Sequence, residues 1–372
     1  MILLVVKADQ GGIMKGGNKL SGLSFPRLPY LSWTDNPSST ITIRYGSTLQ
    51  DIDTIHYGER GQLDQQASAN YGTEKEVTIR NLKPGTIYNY RISGHKSIYS
   101  FRTAPTVGKS FTFAVYGDFS SGGNLKVKQR LYQTVRRDRP AFLILTGDVV
   151  SNGNSAYSWH RNYFGPGSVI TPYSPMMIAH GNHDGKNLFE HYLSYPGNGR
   201  WYSFLYSNAR FLAIDTELNF SPNSPQYRFV EYILGITRAR WKIVYLHKPP
   251  YSTNSGHHSD LKVRAYLSPL FEKYRVDIVF CGHNHGYERT RPIWQNQVNQ
   301  QKGVTYITTG GGGAILTPFI PWSRLKAAEK SWSSVRIVRH HYLLVNVNQQ
   351  RLHIQAKLAS GSIIDELKIP KR

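Results

Sequence analysis

The sequence predicts a layered α/β domain preceded by a small all-β sandwich. Three observations predict it. Residues 21–103 read as short strands separated by turns. From residue 111 onward, apolar runs of the buried-strand type alternate with helical patterns. Several of those runs end in polar residues of the same chemical kind. The 372 residues suffice for two or three domains with a sizeable core.

Taken in order, residues 1–20 form an N-terminal segment of unsettled structure. Residues 1–6 are apolar but stop at Lys7 and Asp9, too short a run for a clear signal peptide. They read as a truncated remnant of one or as a strand. Residues 21–106 form the sandwich. Residues 40–45 alternate apolar and polar, residues 76–79 lead into the Pro84-Gly85 turn, and residues 100–103 close the block. No histidine or carboxylate cluster occurs here, so this unit is expected to pack and present rather than to carry chemistry. Residues 104–109 read as a linker.

The α/β domain is expected over residues 107–372. Its apolar strands fall at 111–115, 141–145, 176–179, 211–214, 241–246 and 277–280. Residues 125–135 read as a helix. Residues 261–274 read as another, with Leu267, Leu270, Phe271 and Tyr274 on one face and Pro269 as a defect. The tail, 341–369, returns to strands around turns at 348–350 and 360–361 and is expected to complete a sheet.

Charge and composition exclude several classes. Forty-five Lys and Arg against 23 Asp and Glu give +22, a field that attracts anions such as phosphate esters. The cations are scattered, densest over 324–339, and match no nucleic-acid-binding module, so specific nucleic-acid recognition is not expected. The lone Cys281 excludes an internal disulfide and a thiolate cluster, and reads as a buried strand residue. No apolar run approaches the ~20 residues of a transmembrane helix. The oligomeric state is not legible.

The chemistry lies at the ends of the strands. Gly117-Asp118, Gly147-Asp148, Gly181-Asn182-His183-Asp184, His247 and Gly282-His283-Asn284-His285 each come after an apolar run. Ligands of α/β sheets gather at the carboxyl ends of strands, so these groups are expected to converge. Carboxylates and imidazoles without thiolates suit Zn, Mn or Fe. If the strand simply continues, period-2 alternation puts His283 and His285 on one face. Glycine before Asp118, Asp148, Asn182 and His283 fits bends too tight for a side chain. Singly, a Gly-Asp after a strand is an ordinary turn and a lone His247 a satisfied core residue; five in order are not coincidence.

Those five blocks resemble the motif set of metallophosphoesterases. With the front domain, whose residues 82–90 resemble a fibronectin type III repeat, the chain resembles a purple acid phosphatase. The segment 286–289 and the glycines 310–313 look similar too. The resemblance implies a four-layer α/β/β/α sandwich and a phosphoric ester hydrolase that uses two metal ions (Fe, Zn or Mn). It implies Asp118, Asp148 and His285 around one metal and Asn182, His247 and His283 around the second, with Asp148 bridging. His183 would stand beside the phosphate or brace the Asn182 loop. One of His257 and His258 would protonate the leaving group. The family also implies an extracytoplasmic or secreted location.

Two positions depart from the pattern. Ser120 stands where the first block usually carries a second glycine, or a histidine ligand in other metallophosphoesterases. Ser151 stands where the purple enzymes place a tyrosine ligand, so Ser151 or water is expected at that place, unless Tyr157, Tyr163 or another of the 25 tyrosines swings in. The expected function is metal-dependent hydrolysis of small anionic phosphate esters, monoesters ahead of diesters. The rivals are a phosphodiesterase or nucleotide phosphatase, and a metal-binding scaffold without catalysis.

Overall fold

The front of the chain is built from two antiparallel sheets. Arg27–Ser32, Ile41–Gly46 and Glu74–Ile79 form one; Gln65–Ser68, Thr54–Glu59, Ile87–Ile92 and Tyr99–Arg102 form the other. The structure, a computed structural model, describes residues 27–119 and 123–371. The segment 1–20 and Ser120 lie outside the described residues. Although residues 40–45 alternate apolar and polar, Ile41–Gly46 is buried throughout. Ile41, Ile43 and Tyr45 enter the core. Arg44, on the other face, donates to the His191 carbonyl (2.6 Å) and to Ser194 Oγ (2.9 Å), so that face is covered by the α/β domain. Trp33 reaches further, packing within 5.7 Å of Phe142, Phe204 and Tyr206.

Two mixed sheets make up the rest of the chain. The first runs Met176–Ile178, Leu143–Leu145, Phe111–Tyr116, Tyr342–Val347, Arg351–Lys357, Ile363–Pro370. The tail therefore does complete a sheet, pairing antiparallel with the strand Phe111–Tyr116. The second runs Tyr202–Tyr206, Ala209–Ile214, Trp241–Leu246, Ile278–Cys281, Thr305–Thr309, Tyr287–Thr290, Ser333–Ile337, with a parallel centre.

Alternation within the apolar strands explains the layering. Phe211, Ile243, Tyr245, Ile278 and Phe280 face one core; Leu212, Val244, Leu246, Val279 and Cys281 face another. The second core is shared with the helices Pro225–Ile236, Leu261–Tyr266 and Ser268–Lys273 through Val230, Val263, Leu270 and Phe271. On the first sheet Phe113 stacks on Phe142 at 5.3 Å and meets Phe211 across the sheets at 5.1 Å. Tyr116 packs instead on Tyr132 of the helix Leu125–Asp138. Helix, sheet, sheet and helix are stacked in that order, and strands buried on both faces show no polar alternation. The helix expected over 261–274 is two helices. Pro269 has no N–H to continue the ladder and sits in the first turn of the second helix, while Leu267 caps the first.

Phe142 joins both sheets and Trp33, so Phe142→Ala should cost about 3–5 kcal/mol. Tyr232→Ala, at a side chain 62% exposed, should stay within about 0.5 kcal/mol. Urea unfolding monitored by circular dichroism checks both.

Candidate metal centre

The five blocks meet at the carboxyl ends of strands in both sheets. Asp118, Asp148 and Asn182 come after strands of the first sheet; His247, His283 and His285 come after strands of the second. The backbone turns sharply at three of them. Asp118, Asp148 and His283 have φ of 62°, 52° and 69°, the left-handed region, which costs of order 1–3 kcal/mol per residue and collects at functional sites. The preceding glycines make room. A Cβ on Gly181 would lie 2.3 Å from Asp148 Oδ1, and one on Gly282 2.7 Å from Asp118 Oδ2.

Strand alternation is not what unites His283 and His285. The strand ends at Cys281, and the left-handed turn at His283 breaks the pleat. The two imidazoles are nevertheless brought to one place, by the turn rather than by alternation. The His283 N–H donates to both oxygens of Asp118, at 2.9 and 3.0 Å. Its Nδ1 lies 3.1 Å from His247 Nε2, and His285 Nε2 lies 3.7 Å from Asp118 Oδ1.

His247 is fully buried. Its Nδ1 donates to the Thr146 carbonyl at 2.8 Å, which turns Nε2 toward Asn182 Oδ1 at 3.0 Å and Asp148 Oδ2 at 3.4 Å. His285 Nδ1 likewise donates to the Ile315 carbonyl at 2.8 Å, leaving Nε2 for the site. Such bonds fix the ring and the tautomer in which the inner nitrogen can bind a cation. Asp148, His247 and His283 offer ligand atoms that all lie within 4.8 Å of one another. The residues therefore fit a cation by donor type, orientation and spacing.

The electrostatics agree. Burial and the neighbouring Asp148 push the Asp118 carboxyl well above the usual range, against the opposing pull of His247. Burial acts the same way on Asp148, but the His247 charge outweighs it and its pKa falls. Burial opposes charge on His247, and Asp148 and Asp118 overcome it, raising it to about 10. Burial, then the His247 charge, lowers His283 to about 2.

The remaining candidates divide. The His183 N–H donates to Asp148 Oδ1 at 2.8 Å, its Nδ1 donates to the Ser151 carbonyl at 3.1 Å, and its Nε2 lies 4.0 Å from Asp148 Oδ2. His183 thus both braces the loop and borders the site. The His257 ring lies 4.0 Å from that of His283 and 6.2 Å from that of His285. His258 is exposed and has no such contact among the described residues. The Ser151 hydroxyl donates to Asn162 Oδ1 at 2.9 Å, so its side chain is tied there rather than to a candidate ligand. Tyr157 accepts from Arg161, and Tyr163 is buried with its hydroxyl 3.5 Å from Met176 Sδ. Neither tyrosine fills the place of the missing one.

Asp184 has a role the sequence did not announce. Its carboxylate accepts the N–H groups of Gly181, Asp148 and Val149 at 2.7–2.9 Å and of Val150 at 3.3 Å, knotting two blocks together. Burial and Asp148 raise its pKa to about 7. Glu288 similarly holds Thr253, at the root of the His257 loop, through the Thr253 N–H at 2.8 Å and hydroxyl at 2.6 Å. The expected likeness at 310–313 is also structural. The Gly312 N–H donates to the Gly117 carbonyl, and a Cβ on Gly310 would lie 2.8 Å from Asp118 Oδ2.

Residues 111–287 match the family described as calcineurin-like phosphoesterase, and residues 26–103 match the purple acid phosphatase N-terminal domain. Human acid phosphatase type 7 (Homo sapiens) is 30% identical over 339 residues, spanning 78% of this chain and 75% of that protein. The chain belongs to the purple acid phosphatase family. Purple acid phosphatase 21 of Arabidopsis thaliana is 29% identical, spanning 86% of this chain and 78% of that one. A solved purple acid phosphatase from yellow lupin (Lupinus luteus) seeds has the same fold, with a TM-score of 0.82 at 21% identity over 93% of this chain and 74% of that one. Like other calcineurin-like phosphoesterases, this purple acid phosphatase relative is a hydrolase of phosphate esters.

Because Asp184 orients Asp148 through the backbone, Asp184→Ala should weaken metal binding about 10–100-fold. Calorimetric metal titration checks this against an unchanged circular dichroism spectrum.

Proposed function

We propose that the chain is a phosphoesterase acting at a centre for two divalent cations, on monoesters ahead of diesters. The carrying observation is the convergence of Asp118, Asp148, Asn182, His247, His283 and His285, whose ligand atoms face one another rather than separate donors. Asp118, Asp148 and His285 would hold one cation and Asn182, His247 and His283 the other, with Asp148 shared. The distances favour that grouping, since His285 approaches Asp118 while His247 approaches Asn182 and Asp148. An oxygen and nitrogen set without thiolate suits Zn, Mn or Fe(II). When bound, such a pair neutralises phosphate oxygens and supplies a water nucleophile near neutral pH. The names of the human and Arabidopsis relatives, both phosphatases, favour monoesters.

The chain's own residues supply orientation and protons. The Thr146 and Ile315 carbonyls hold His247 and His285 in register. His183, pinned through Nδ1, presents Nε2 beside Asp148, where it can meet a phosphate oxygen. His257, over His283 on an exposed loop, is the group in reach of a leaving oxygen; His258 is not.

Exhaustive chelation and Asp148→Ala should each abolish hydrolysis of 4-nitrophenyl phosphate, with activity restored to the wild type by Zn or Mn. Activity that survives either treatment refutes the two-cation reading. Full metal occupancy with no hydrolysis of any ester would instead make the chain a binding protein.

His257→Ala should lower kcat about 10²–10⁴-fold on an alkyl phosphate. It should cost much less on 4-nitrophenyl phosphate, whose leaving group departs without a proton. His258→Ala should change neither rate. Steady-state kinetics with metal content measured alongside separates the effects.

A further inference from the structure

The end of the α/β domain opposite the metal centre carries a cluster of cations. Four turns meet there, at the amino-terminal ends of the parallel strands: the connection at Val107, the hairpin turn at Asn208, the segment before Trp241, and the turn at Gln349. They enclose a cavity of about 410 Å³, within the range of small-molecule sites. Arg210, Arg238 and Arg240 line it, Arg240 donating through Nε to the Gln349 carbonyl, and no acidic residue among the described ones does.

Two polar atoms belonging to its lining residues lack partners among the described residues. Arg210 Nε is closed off from solvent and meets no hydrogen-bond acceptor, and Asn208 Oδ1 is buried without a donor. Burial acts on the Arg210 guanidinium with no carboxylate to offset it. A half-buried cation held without a counter-ion costs stability, and an anion seated beside it removes that cost. The rest of the lining is mainly apolar, with Val107 and Leu205 exposed at 75% and 37%. A guanidinium cluster beside an apolar wall suits a ligand with both characters, whereas inorganic phosphate would use only the first.

We propose that this cavity is a second binding site, separate from the metal centre, for a small organic anion with a compact apolar body. The arginines take the carboxylate or phosphate group, and Val107 and Leu205 cover the body.

The test is calorimetric titration of the metal-loaded protein with 2-naphthoate. Saturable one-to-one binding is expected, unchanged in Asp148→Ala and at least tenfold weaker in Arg210→Gln. The neutral 2-naphthamide should bind at least tenfold more weakly than the acid. Arg210→Gln should hydrolyse 4-nitrophenyl phosphate at the wild-type rate, which also reports that it folds. Should that variant fail to fold, the exposed pair Arg238→Gln and Arg240→Gln provides the same comparison. Absence of binding overturns the proposal. So does equal binding of the amide, or equal affinity in the arginine variants. Loss of binding in Asp148→Ala would place the naphthoate at the metal centre and overturn it as well.

Discussion

Three carboxylates sit out of water within one seam between two sheets. Asp118, Asp148 and Asp184 are 0%, 2% and 0% exposed, and burying like charges together is among the most costly arrangements a fold can adopt. Everything around the seam answers that cost. Asp184 is surrounded by four backbone N–H groups, Asp118 takes the His283 N–H, and Asp148 takes the His183 N–H. Two of these amides, those of Asp148 and His283, belong to residues in the left-handed region, where Asp118 itself also lies. His247 supplies positive charge, and the field that draws a proton to it is the field that draws a cation. The strained turns and the buried acids thus occur together, with backbone donors that make the carboxylates tolerable.

The convergence of the candidate residues was legible because they follow apolar strands, and strand ends in layered α/β domains converge. Local sequence suffices for that much. What it cannot supply is which groups face each other across the seam. His283 and His285 share the site because of a left-handed turn that a strand-periodicity argument does not contain. Asp184 stands in its motif without a legible role, since three of its four amide partners belong to a block some 35 residues away. The carbonyls of Thr146 and Ile315 are backbone atoms and carry no sequence signal. The burial of Arg44 and the break before Ser268 have the same character. One depends on docking against residues 191–194, the other on whether tertiary contacts rescue a helix across Pro269.

The choice between His257 and His258 shows where local reading stops. Both lie in one polar loop, and sequence offers no preference. The structure zips that loop to residues 317–320: Asn254 pairs with Phe319, the Ser255 N–H donates to the Pro318 carbonyl, and the Ile320 N–H donates to the Thr253 carbonyl. Asn254 Oδ1 then accepts the Gly256 N–H at 2.9 Å. The side chain of His257 is carried over His283 by this long-range pairing. Ser151 shows the converse. Its position in the motif marks it as a place for a metal ligand, but Asn162, eleven residues on, captures its hydroxyl.

The front sandwich has a consequence for the same seam. The helix Lys186–Tyr192 begins two residues after Asp184 and transmits its position to the Asn182 loop. The sandwich grips the far end of that helix: Tyr30 donates to the Tyr192 carbonyl at 2.6 Å, Arg44 to the His191 carbonyl at 2.6 Å, and the Arg27 guanidinium lies 5.1 Å from the Tyr192 ring. Tyr30 is fully buried, and its phenol is held far above its usual pKa by burial, so the hydroxyl stays a donor across the accessible pH range. A helix of seven residues has little stability of its own. Its order comes from what it packs on at each end, the Asp184 knot at one and the sandwich at the other. A domain without a single candidate ligand is therefore coupled to the centre, because it fixes the element on which the Asn182 and Asp184 turn is built.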